Sequence, residues 1–156
     1  MKPSWGQGHV PPPARRPRPF WVVSQRVAAR MLEKMCPFFI VSGVERAVAF
    51  YRDQLGFESW HQAPEGEPFF AIVGRDGAML FLKSGEAKPL PNSKRDAEMR
   101  WDAYVLAHDP DALAAEFASR GVTFSAPLEN THDGLRGFEV TDPDGYVLFF
   151  GRPRQL

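Results

Sequence analysis

An Asp-Gly turn feeding a short apolar strand occurs twice, as RDGAMLFL over residues 75–82 and as PDGYVLFF over residues 143–150. Each copy follows a helix-like stretch that stops at a glycine, Gly56 in the first case and Gly121 in the second. The two turns lie 68 residues apart and the two glycines 65. A near-constant offset across two kinds of element marks a module used twice. Any fold assigned to the chain must therefore divide into two similar halves.

The local patterns agree. Phe38 to Val41 reads as a strand, and Val44, Ala47, Val48, Tyr51 and Leu55 fall at the three- and four-residue spacing of one apolar helical face. Gly56 supplies the stop, because glycine readily enters the left-handed region a helix end requires. Phe57–Trp60, Phe69–Val73 and Met79–Leu82 read as three strands divided by turn residues. The order then repeats. Asp102–Leu106 reads as a strand, and Asp109 and Pro110 suit a helix cap and first helical position. Leu113, Ala114 and Phe117 form the apolar face of that helix. Strands are expected near Val122–Phe124, Gly137–Thr141 and Tyr146–Phe150, the last two joined by the turn Asp142–Gly145. The expected fold class is α+β, two βαβββ modules. Module 1 covers about 36–83, a polar linker 84–100 and module 2 about 101–152, with a short tail at 153–156.

Residues 1–35 have a different character. Five prolines between Pro11 and Pro19 interleave with Arg15, Arg16 and Arg18, and no apolar period survives. Such a segment cannot bury enough surface to offset ordering entropy, so the sequence predicts a disordered arm. Translation starting at Met31 or Met35 is an equally simple reading of it. Beyond Leu32 there are 13 basic and 19 acidic side chains, which gives no reason to expect a nucleic-acid partner. The single cysteine, Cys36, excludes an internal disulfide framework. No run is long and apolar enough to span a bilayer, and the longest apolar burst of the arm is too short for a signal core. A cytoplasmic protein with no membrane partner is expected.

The run GVERAVAFYRDQLGF over 43–57 resembles the opening motif of the vicinal oxygen chelate superfamily, and GLRGFEVTDPDGYVLFF over 134–150 resembles its closing signature. That superfamily includes glyoxalase I, extradiol dioxygenases, and fosfomycin- and bleomycin-resistance proteins. The resemblance covers roughly residues 36–152. It implies that the sheets of the paired modules curl into a cup around a central site. Metal-using members place one ligand on the first and one on the last strand of each module. Those positions fall here on Cys36, Phe81, Asp102 (with Trp101 one residue away) and Phe149. Phenylalanine has no lone pair to offer a metal, and a catalytic divalent ion needs imidazole or carboxylate donors. Of the four histidines, His9, His61, His108 and His132, only His61 lies near a cup-facing strand. No cofactor is therefore expected.

Alternation along strands sends Cys36, Phe38, Phe81, Asp102, Tyr104, Val147 and Phe149 to the cup side, with Trp60, Trp101 and Phe138 as further candidates. Aromatic walls with few polar groups suit planar or amphipathic molecules. The alternative is that the same rings fill the cup as core. Asp102 would favour a cationic or donor-rich ligand if it pointed inward; otherwise it sits in solvent or pairs with Arg100. Cys36 reads as a small buried thiol. The leading expectation is a protein of the bleomycin-resistance type that sequesters a small aromatic or amphipathic molecule without metal and without turnover, as a homodimer. The alternatives are a lyase, isomerase or dioxygenase with an unconventional metal site, and a structural or regulatory module whose cup is packed shut.

Overall fold

A computed structural model of the protein describes residues 31–154. The arm expected over residues 1–35 thus lies mostly outside the described residues, as do the last two residues of the tail. Phe38–Ile40 forms β1, Val44–Asp53 α1, Glu58–Ala63 β2, Phe70–Arg75 β3 and Ala78–Lys83 β4. The second set is Ala103–Leu106 as β5, Pro110–Ser119 as α2, Phe124–Asn130 as β6, Leu135–Thr141 as β7 and Val147–Pro153 as β8. These are two βαβββ modules. Each makes a four-stranded mixed sheet, in the order β1-β4-β3-β2 and β5-β8-β7-β6, and the sheets do not close into a barrel. In each sheet the first strand runs parallel to the last, Phe38 beside Phe81 and Tyr104 beside Phe149.

The helices form where the apolar spacing places them. α1 buries Val44, Ala47, Val48 and Tyr51. Gly56 ends the segment at φ +69°, and a Cβ there would stand 2.9 Å from Arg75 Nη1. The backbone conformation therefore calls for glycine. The Asp109 side chain accepts from the Ala112 amide at 3.0 Å, capping α2 as its position suggested, with Pro110 in the first turn.

Two strands run three residues past their expected ends, β2 to Ala63 and β8 to Pro153, and the strand after α2 departs furthest. The first strand after α2 does not end at Phe124 but runs from Phe124 to Asn130, through Pro127. It is an edge strand bonded only to β7, and its register shifts twice. An edge position with irregular pairing is where a residue without an amide hydrogen is tolerated. The linker is also more ordered than its composition suggests. Asn92–Lys94 makes a 3-10 turn behind a fully buried Pro91.

The core is continuous between the modules on their helix-bearing faces. Phe39 stacks on Tyr146 with ring centroids 4.2 Å apart, and the Tyr146 hydroxyl donates to the Ile40 carbonyl at 2.6 Å. The fully buried Tyr51 donates to Asp142 Oδ2 at 2.8 Å. Arg75 donates to the Leu55 carbonyl at 2.9 Å and forms an ion pair with Glu116 of α2 at 2.8 Å. That guanidinium holds the Glu116 carboxyl below the usual range. This seam turns the helix sides inward and leaves the opposite face of each sheet open.

Candidate functional site

On the open face of the first sheet, Phe38, Phe70 and Phe81 form a cluster with centroids 5.8 to 6.1 Å apart. Their neighbours in the sheet explain it. Phe81 lies directly beside Phe38 and Ile72, and cross-strand partners project to the same side. His61 packs edge-on against Phe70 at 6.2 Å. Trp60 lies flat over Gly74, whose missing side chain makes room for the indole. Despite this clustering Phe38 remains 53 % and Trp60 43 % exposed. Cys36, expected as a buried thiol, is only half-buried, because it lies ahead of β1 rather than within the sheet.

The open face of the second sheet is built on two glycines. Gly137 and Gly151 pair directly across β7 and β8. The Phe149 ring lies on both and is itself only 2 % exposed, and a Cβ on Gly151 would stand 2.5 Å from Phe149 Cε1 and from the Arg136 carbonyl oxygen. Trp101 stacks on Phe149 at 4.2 Å and 20°, and Tyr104 approaches the same ring at 5.3 Å. Burial and the charge of Asp133 push the Tyr104 hydroxyl above its ordinary pKa. Beside these rings is Glu139, register partner of Phe149 and only 8 % exposed. One of its oxygens accepts from Trp101 Nε1 at 2.6 Å, and the other is paired with Arg100.

Sequence reasoning and structure part at three residues. Phe138 does not join the open face. It is fully buried on the helix side, stacked on Phe150 and Phe124 and edge-on to Phe117, because it pairs with Phe150 in the sheet. Asp102 is satisfied by the chain itself. Its Oδ1 accepts from the Asn92 amide at 2.7 Å and its Oδ2 from the Val147 amide at 2.8 Å, so it tethers the linker turn and β8 to the start of β5. Arg100, weighed as a partner of Asp102, pairs with Glu139 instead. Phe70 and Glu139 were missed. For Glu139 a signal existed: between Phe138 and Val140, both facing the core, an alternating strand must turn residue 139 the other way.

A cavity of about 890 Å³ lies elsewhere. It runs along β5 and α2 on the helix side, walled by Leu80, Val105, Leu113, Phe117 and Phe150, and of the expected site residues only Tyr104 reaches it.

Paired βαβββ modules with open aromatic sheet faces define a class of small cup-forming proteins. The model of the Glyoxalase/Bleomycin resistance protein/Dioxygenase superfamily matches residues 32–150, and the chain belongs to that superfamily. No curated protein matches the sequence significantly. Among solved structures, the bleomycin-binding protein of bleomycin-producing Streptomyces verticillus, complexed with copper(II)-bleomycin, is similar at 27 % identity, covering 80 % of this chain and 100 % of that one with a TM-score of 0.58. TioX from Micromonospora sp. ML1 is similar at 21 % identity (77 % and 98 % covered, TM-score 0.62). A glyoxalase-related enzyme from Clostridium phytofermentans is similar at 16 % (81 % and 99 %, TM-score 0.62). These last two show the shared fold.

The metal of the superfamily's metal-using members does not fit the residues here. Phe81 and Phe149 offer no donor, and both oxygens of Asp102 are held by backbone amides. Among the described residues no three His, Cys, Asp or Glu side chains converge on one point.

Proposed function

We propose that the protein binds and sequesters a small planar or amphipathic organic molecule against the aromatic open faces of its sheets, without a metal and without turnover. The observation that carries this reading is the substitution of rings for donors. Phe81 and Phe149 stand where a metal-using relative places ligands, and each is the centre of an aromatic cluster. Flat rings recognise flat ligands through area burial and stacking. The similarity to a bleomycin-binding protein supports the same ligand class. The pocket candidates are Cys36, Phe38, Trp60, Phe81, Trp101, Tyr104 and Phe149, with Asp102 holding the frame. Phe70 and Glu139 complete the set.

The working form is a homodimer. Tyr104 and Leu106 on β5 and Phe38 on β1 are 43, 66 and 53 % exposed, and both strands lie at sheet edges. A second copy bringing its first sheet against the second sheet of this one would cover all three and turn two open faces into one cup.

Metal analysis of protein purified without chelator, paired with titration of tryptophan fluorescence against bleomycin and small aromatic compounds, tests the proposal. Low metal content with saturable quenching is expected. Near-stoichiometric metal overturns the metal-free reading, and absence of quenching by every compound overturns binding. Light scattering should give twice the 17.6 kDa chain mass.

A further inference from the structure

We infer that the second open face is built to recognise an organic cation, a protonated amine, guanidinium or positively charged ring system, with Glu139 as its receptor and Arg100 as the internal occupant of that site. The inference rests on the proposed small-molecule reading and specifies its ligand. A carboxylate buried to 8 % on a sheet face is costly unless a cation and hydrogen bonds compensate it. Glu139 has both, but they differ in kind. The bond from Trp101 Nε1 comes from a residue fixed in the aromatic stack. The cation comes from the linker end. Arg100 keeps 43 % of its side chain in solvent, lies outside any strand or helix, and commits a single nitrogen, Nη2, to Glu139.

Displacing Arg100 therefore exposes a fixed, nearly buried anion and releases a side chain that returns to water. The walls of the vacated place would be Trp101 and Tyr104, whose centroids lie 6.0 Å apart, with the buried Phe149 stacked behind Trp101 at 4.2 Å. Aromatic faces around a carboxylate are the physical recipe for binding an organic cation, since ring quadrupole and formal charge attract it together. The surrounding charge points the same way. Glu129 pairs with Gly137 on this face, and Asp133 lies close enough to raise the Tyr104 pKa. An anionic ligand reaching for the free nitrogens of Arg100 would meet those carboxylates, and like charges held together cost affinity.

Calorimetric titration of the full chain with proflavine, a planar cation at pH 7.4, and with acridone, its uncharged analogue, separates the possibilities. Proflavine should bind about tenfold or more tighter than acridone, a difference typical of a desolvated cation–π and charge contact. Glu139→Gln keeps an acceptor for the Trp101 bond and should abolish the preference for proflavine over acridone. Arg100→Gln should tighten proflavine binding severalfold, a gain that misfolding cannot produce. Equal affinity for both dyes in the unaltered protein, or weaker proflavine binding in Arg100→Gln, overturns the inference while sparing the pocket. Failure of both dyes to bind in every variant overturns the pocket reading and this one together.

Discussion

Tyr51→Phe removes one oxygen atom from the centre of the seam between the modules. The Tyr51 hydroxyl is fully buried and donates to Asp142 Oδ2 at 2.8 Å. Asp142 Oδ1 already accepts from the amides of Asp144 and Tyr146 at 2.9 and 3.0 Å. The variant leaves Oδ2 without that donor, 5 % exposed, in a place no larger than before. Loss of a buried hydrogen bond to a charged group costs about 1.5–3 kcal/mol. The cost depends on pH, and the sign follows from Asp142. Burial raises its pKa to about 6, against the lowering influence of the Tyr51 hydroxyl and the two amides. The folded protein thus holds this proton more tightly than the unfolded chain. The stability Asp142 lends through that proton is fully present below the ordinary value of 3.8 and is lost as pH rises through 6, about 3 kcal/mol in all. Without the hydroxyl the pKa rises further, so the penalty of Tyr51→Phe grows with pH. Urea unfolding should give a loss near 1 kcal/mol at pH 5, where the acid is protonated in both proteins, and about 2–3 kcal/mol at pH 8. An equal loss at both pH values, or a larger one at pH 5, would refute the reasoning.

Two further substitutions test the second sheet. Gly151→Ala drives a methyl against the Arg136 carbonyl and the Phe149 ring, each 2.5 Å from the new Cβ, and because a backbone atom is involved it should destabilise the protein by about 1–3 kcal/mol or more. Near-UV circular dichroism should show the Trp101–Phe149 stack disturbed, and an unchanged spectrum with unchanged stability would sink the platform reading. Asp102→Ala deprives the Asn92 and Val147 amides of their acceptor, for an expected loss of about 2 kcal/mol, with faster hydrogen exchange at those two amides; slow exchange at both would show that Asp102 does not tether the turn.

Where the chain follows local rules, its sequence was readable. The Asp109 cap, the Gly56 stop and the Asp-Gly turns act within a few residues of themselves, so spacing alone located them. Face assignment needed register, which is set across strands. The face of Phe138 follows from its partner Phe150, and a one-residue error in a strand reverses the face. Glu139, its neighbour, takes the opposite face for the same reason. Asp102 shows another limit: the amides it satisfies belong to a turn ten residues before it and a strand 45 residues after it, and nothing local announces either. The cluster on the first sheet was half visible, since Phe38 and Phe81 came from the alternation, whereas Phe70 needed its contact with both to become part of a site.

The seam also fixes the order in which a growing chain can finish folding. Phe39 and Tyr51 leave the ribosome early, yet their partners are Tyr146 and Asp142, and the Tyr51–Asp142 bond spans 91 residues. The first module can pair all of its own strands while one flank stays bare, and that flank is sealed only when the last turn of the chain arrives. The final hairpin thus completes a half of the protein made long before it, and a chain that stops short of residue 142 emerges with both halves unfinished.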